Sequence, residues 1–245
     1  MRLDLMTWPE VEAYLKTSKT VVVPVGSTEQ HGPTGVMGTD IICPEIIAKT
    51  ATEIDPFLIT PPLPFGQAQH HLDFAGTIAL RPSTLIATVQ DVVASLSHHG
   101  FQRIYFFNGH GGNTATLEAA MAECYGAFSL RGEACPYRLK VRNWWELPGI
   151  FELCKRLFPR GHGGHGAPSE LSVTHYAYDE AMRRDKPEPK IAPFGHDYGD
   201  ACSFRAAYPD GRAGADPTLA TKALGEQLVH QSAQALVREL QAFSA

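Results

Sequence analysis

Hydrophobic positions along the chain alternate between short unbroken runs and helical stripes. Residues 20–25 (TVVVPV) form a β-branched run of the kind expected for a strand buried on both faces, and it stops at a Gly-Ser-Thr turn. Ile46, Ile47 and Ala51 recur at helical spacing within 44–53, with Pro44 read as a first-turn residue. Residues 58–63 read as a second strand and 77–80 as a short extended piece. A helix is predicted over 83–99, with Ser83 as its N-cap and Gly100 just beyond its end. The aromatic run 101–107 is a third strand; it leads through NGHGGN (108–113) into a helix over 114–130 capped by Asn113. A strand over 137–143 and helices over 149–158, 167–182 and 219–243 complete the pattern. Residues 183–216, rich in Pro, Gly and Asp, read as a long irregular segment, either a lid or an oligomer contact.

Strands that alternate with helices predict a largely parallel sheet covered by helices, with ligands bound beyond the carboxyl ends of the strands. At 245 residues, 44% hydrophobic and 19% charged, the chain is long and apolar enough for a substantial core, which excludes disorder. Twenty-six acidic against 21 basic residues, with no basic run longer than Arg183-Arg184, argue against nucleic acid as a partner. The sequence has no run of apolar residues long enough to span a membrane and no signal-peptide pattern, so the expectation is a soluble, cytoplasmic protein. Five scattered cysteines without a C-x-x-C pair read as free thiols.

Histidine chemistry changes this bland picture. Chance would place Gly after about one of the 11 His, whereas five His-Gly pairs occur, at His31, His99, His110, His162 and His165. Glu29 and His31, two apart, project to one face of an extended segment and can offer an oxygen and a nitrogen to a common point. Asp40 reads either as a helix cap or as a third ligand. NGHGGN sets His110 at a strand end, where a Gly-rich turn also suits phosphate, although no G-x-G-x-x-G or Walker pattern accompanies it. His165 and Glu170 follow in a third Gly-rich loop and helix start. Glu29, His31, Asp40, His110 and Glu170 make a nitrogen and oxygen donor list without thiolate, suited to one or two ions of zinc, manganese or iron(II).

At these residues the chain resembles the creatininase (creatinine amidohydrolase) family: GSTEQHGP with GTD, NGHGGN, and HGAPSELS, along with HLDFAGTIALRPST and DPTLAT. The resemblance implies a three-layer α/β/α sandwich with a mainly parallel central sheet, formed by a single domain over 1–245. It also implies two divalent ions per chain, hydrolysis of a non-peptide C–N bond in a small-molecule amide, and a closed homo-oligomer, often a hexamer. By position, Glu29 and His110 would hold one ion and His31 the other, with Asp40 bridging. Where creatininases carry a ligating Glu two residues after the motif His, this chain has Gly112, and Glu170 is expected to take over that role at the catalytic centre. His165 would protonate the leaving nitrogen. Gly112, and Thr34 where many relatives have His, point away from creatinine itself. Trp144, Trp145, Gly111 and Gly112 are expected to line the substrate pocket, although adjacent tryptophans suit a core or an interface equally well. Two other readings stand beside the amidohydrolase: a peptide-trimming hydrolase of the mycofactocin-maturation type, and a non-catalytic small-molecule-binding relative that has lost a metal ligand.

Overall fold

A computed structural model describes residues 1–244. Strands β1 (Thr20–Val25), β2 (Leu58–Ile59), β3 (Arg103–Asn108) and β4 (Arg138–Asn143) form one parallel sheet in the order β2-β1-β3-β4. Val25 pairs with Asn108 and Asn108 with Asn143, so three strands end level and their following loops leave from one edge. Ligands bind at that edge in open parallel sheets.

Alternation along β1 and β3 sorts their side chains into two layers. Val22, Tyr105 and Phe107 pack with α2 (Thr39–Ile54), α5 (Ile150–Leu157), α6 (Pro168–Ala177) and α8 (Lys222–Ser244). Val21, Val23, Val25, Ile104 and Phe106 pack on the other face with α1 (Trp8–Thr17), α3 (Pro82–His98) and α4 (Thr114–Ser129). The result is the three-layer α/β/α arrangement, and no helix among the described residues is long and apolar enough to cross a membrane.

Several boundaries differ from the sequence pattern for local reasons. The second strand stops after Ile59 because Pro61 and Pro62 have no N–H to give a ladder; only Leu63 pairs again, as a bridge to Val25. Residues 77–80 contribute isolated bridges at Ile78 and Ala79. Helix α1 is not in the expected pattern, although TWPE carries a capping box: Glu10 accepts from the Thr7 backbone N–H at 2.6 Å. Arg81, not Ser83, occupies the N-cap of α3, with Pro82 at its first position. At the other end Gly100, at φ 97°, closes a Schellman motif, its N–H bonded to Ser97 and that of Phe101 to Leu96. Within 183–216 lies one further helix, α7 (Ala201–Ala207). Helix α2 begins five residues before Pro44, which therefore sits inside it.

Candidate metal centre

The loops at the level strand ends, with the first turns of α2 and α6, bring the charged residues together. Glu29 and His31 follow β1, and His110 comes two residues after β3. Asp40 is the second residue of α2; Gly38 occupies the N-cap position, so the capping reading of Asp40 does not apply. Glu170 is the third residue of α6, where its Oε1 accepts from the Ala167 N–H at 2.6 Å.

Ring nitrogens that face carbonyl oxygens must carry the proton, which fixes the tautomers. His31 Nδ1 donates to the Glu29 carbonyl (3.1 Å), His110 Nε2 to that of Gln67 (2.9 Å) and His165 Nε2 to that of Gln30 (2.6 Å). The opposite nitrogens therefore face inward. His31 Nε2 lies 3.0 Å from Asp40 Oδ1 and 3.9 Å from Glu170 Oε2. His110 Nδ1 lies 3.2 Å from Glu29 Oε1 and 3.1 Å from Asp40 Oδ2, and His165 Nδ1 lies 3.8 Å from Glu29 Oε1. Lone pairs facing carboxylates repel unless a proton or a cation lies between them. Both carboxylate oxygens of Glu29 and Asp40 Oδ2 are also buried without a well-formed hydrogen bond. This donor set fits a metal.

The protonation equilibria carry the same signature. Burial opposes charge on His31, yet Asp40, Glu170 and Glu29 raise its pKa to about 10. His110 is likewise raised against its own burial by Glu29 and Asp40. Burial raises Glu29, but His110 and His71 outweigh it and hold the carboxyl well below its usual range. Glu170 rises to about 7, first through burial and then, against the pull of His31, through Asp40. His165 is driven down by burial and by His31 and His71, so it is neutral at neutral pH.

One donor atom from each of Glu29, Asp40 and His110 fall within 4.8 Å of one another, and so do those of His31, Asp40 and Glu170. Glu29, His31 and His165 form a third such group. Residues 4–240 match the family model of the creatininases, described as creatinine amidohydrolase. The chain belongs to the creatininase family. It is 28% identical over 191 residues to the creatinine amidohydrolase of Pseudomonas putida, covering 74% of this chain and 73% of that one. It is 29% identical over 231 residues to the mycofactocin precursor peptide peptidase of Mycobacterium tuberculosis, covering 86% and 80%. A crystal structure of creatinine amidohydrolase (creatininase) superposes with a TM-score of 0.82 at 25% identity, over 100% of this chain and 98% of the other.

In this creatininase-family chain a third residue type, missed from sequence, shapes the centre. Gln30 Oε1 accepts from the Gly32 N–H (2.7 Å), so its amide nitrogen faces the Gly211 carbonyl (3.0 Å) and His71 Nδ1 (2.9 Å). His71 Nδ1 therefore accepts, and its proton sits on Nε2, 3.2 Å from Glu29 Oε1. Alone among the four inward-facing histidines, His71 as a neutral ring presents an N–H to the carboxylates, which suits it to orient Glu29 rather than to ligate. Its only sequence signal is its place at the start of HLDFAGTIALRPST. Gln30 likewise has only its place in GSTEQHGP as a signal, and Gln67, which acts through contacts between segments distant in sequence, has none.

At Gly112, where the resemblance implies a glutamate, the fold leaves no room for a side chain. A Cβ there would collide with His110 Nε2 and come within 2.7 Å of the Gln67 carbonyl, the two groups whose hydrogen bond fixes the His110 tautomer. A cavity of about 260 Å³ beside the carboxylates is walled by Gly111, Trp144, Trp145, Phe151 and His162. Trp144 is buried at 2% exposure in the core and also lines this cavity, and Trp145 packs edge-on against it. A second cavity of about 310 Å³ adjoins His110 and His165, lined by Gly112, His70, Tyr198 and Phe204.

Proposed function

We propose that this chain is a divalent-metal-dependent amidohydrolase that opens a C–N bond in a small non-peptide amide, such as a cyclic amide or a formamide. The observation that carries the reading is the pair of donor groups sharing Asp40, with Oδ1 toward His31 and Oδ2 toward His110. Glu29, Asp40 and His110 would hold one ion, and His31, Asp40 and Glu170 a second, Glu170 supplying the carboxylate absent at Gly112. Imidazole and carboxylate donors without thiolate suit zinc, manganese or iron(II). Ions bound there polarise a carbonyl and lower the pKa of water.

The chain's own groups supply the rest. Gly111, Trp144 and Trp145 wall the substrate, and the tryptophan faces suit a flat amide group. His165 is neutral with Nδ1 bare, so it first accepts a proton from the attacking water and then delivers it to the departing nitrogen, leaving an amine and a carboxylic acid that ionises to solvent. The role expected from the sequence, proton donor, becomes the second half of a shuttle. His71 holds Glu29 in place throughout.

One observation favours the peptide-trimming reading: the second cavity, across His110 and His165, has room for residues beyond a scissile bond. Elemental analysis, followed by a screen of cyclic amides, formamides and short peptides for amine release before and after chelation, separates the readings. Activity that survives full removal of metal sinks the proposed chemistry, and a protein that takes up no divalent ion leaves the non-catalytic binding relative. Assembly into a closed homo-oligomer, proposed from the family resemblance, is read by light scattering.

A further inference from the structure

A third cavity, of about 240 Å³, shares no lining residue with the two at the metal centre. Thr34 and His175 line it from the turn after His31 and from α6. They are 4% and 5% exposed, yet Thr34 Oγ1 and His175 Nδ1 have no hydrogen-bond partner. Buried polar atoms are almost always satisfied, so two orphans on residues that line one cavity point to a ligand. Its remaining wall carries Arg183, Arg184 and Lys186 against the single carboxylate of Asp185. The Arg183 guanidinium is tied to the Glu180 and Met182 carbonyls, whereas Arg184 and Lys186 have no carboxylate partner among the described residues.

We propose that this cavity binds a phosphate group, free or as the ester of a small molecule, separately from the metal centre. A phosphate offers several strong acceptor oxygens. The Thr34 hydroxyl and a His175 N–H would satisfy two of them, and Arg184 and Lys186 supply charge-assisted bonds. Burial, reinforced by Arg183, lowers the His175 pKa, so its ring contributes a neutral donor at neutral pH. The cavity lies just under the usual size range of small-molecule pockets, which suits a phosphate bearing at most a short organic group. Thr34 follows His31 by three residues and His175 follows Glu170 by five, so the anion would brace the two segments that carry the His31, Asp40 and Glu170 group.

Calorimetric titration of the purified protein with inorganic phosphate, glycerol phosphate and acetate tests the site. Saturable binding of one or both phosphates is expected, with acetate weaker. Tighter binding of glycerol phosphate identifies an ester as the ligand, and equal or tighter binding of inorganic phosphate identifies free phosphate. Thr34→Val and the double variant Arg184→Ala/Lys186→Ala should each weaken binding roughly ten-fold or more. Asp40→Asn, which disables the metal centre, should leave it unchanged. The double variant alters only exposed side chains, so it decides the matter if Thr34→Val does not fold. Absence of saturable phosphate binding, acetate binding as tightly as phosphate, or binding that vanishes with Asp40→Asn and survives the double variant overturns the proposal.

Discussion

Asp40 offers one oxygen to His31 and the other to His110, so each donor group loses a member when its charge is removed. Asp40→Asn is expected to abolish retention of both ions, read as metal content after dialysis. In the metal-free chain His31, with its pKa near 10, and His110, also raised, are both protonated at neutral pH. With Glu170, raised to about 7, part-protonated as well, metal binding must then expel about two to three protons per chain when both groups fill, measurable with an indicator in weak buffer, and affinity must rise with pH. The sign for stability follows from the same shift: His31 stabilises the metal-free chain below its ordinary 6.5, and that contribution is lost as the pH rises through about 10. The His-Gly pairs divide at this scale. His31, His110 and His165 converge on the centre, and His162, bonded to Ser169 at 2.8 Å, walls the first cavity. His99-Gly100 is an ordinary helix end, and residue types alone do not distinguish it from the others.

At the scale of elements, Pro44 inside α2 has no N–H to give to the Asp40 carbonyl one turn earlier. Gly26 and Gly109, at the ends of β1 and β3, lie against that carbonyl, and a Cβ on either would collide with it. Both strand ends can therefore close on the first turn of α2, which brings Glu29 and His110 to Asp40. The glycines and the proline are visible in the sequence; their common contact is not. A second close approach joins α6 to α8, where a Cβ at Gly225 would overlap the Ser172 carbonyl. Gly225→Ala should cost about 1–3 kcal/mol through overpacking, read by denaturant unfolding. Because α6 carries Glu170, weaker metal retention should accompany the loss.

For the molecule as a whole, Glu239 ties α8 to the sheet. Its carboxylate meets Lys140 at 2.7 Å, Arg142 at 2.9 Å and the Tyr105 hydroxyl at 2.9 Å. Burial raises its pKa, but Lys140, Arg142 and Tyr105 together hold it below the ordinary 4.5, so its stabilisation is present above that pH and lost as the pH falls. Glu239→Gln should destabilise the neutral protein by about 1–3 kcal/mol, less than breaking a fully buried pair because both cations are about a third exposed. Unfolding curves should show the gap between the two proteins closing below pH 4.5. Arg212, fully buried, fastens the irregular segment through the Pro189, Lys190 and Ala215 carbonyls and Asp210. That segment supplies Tyr198 and Phe204 to the second cavity, beside His110 and His165.

The alternation of apolar runs and helical stripes was enough to predict a largely parallel sheet covered by helices, because a buried strand and an amphipathic helix each leave a periodic mark on neighbouring residues; the three layers came from the family resemblance. The nitrogen and oxygen donors were legible for a similar reason, since each sits in a short Gly-rich motif next to a strand end or a helix start. Tertiary structure alone decided that Glu170 reaches His31, that His71 orients Glu29 through Gln30, and that Gly112 is closed by Gln67 and His110. These depend on groups from segments tens of residues apart meeting within 3.9 Å or less, and no local periodicity encodes such a meeting.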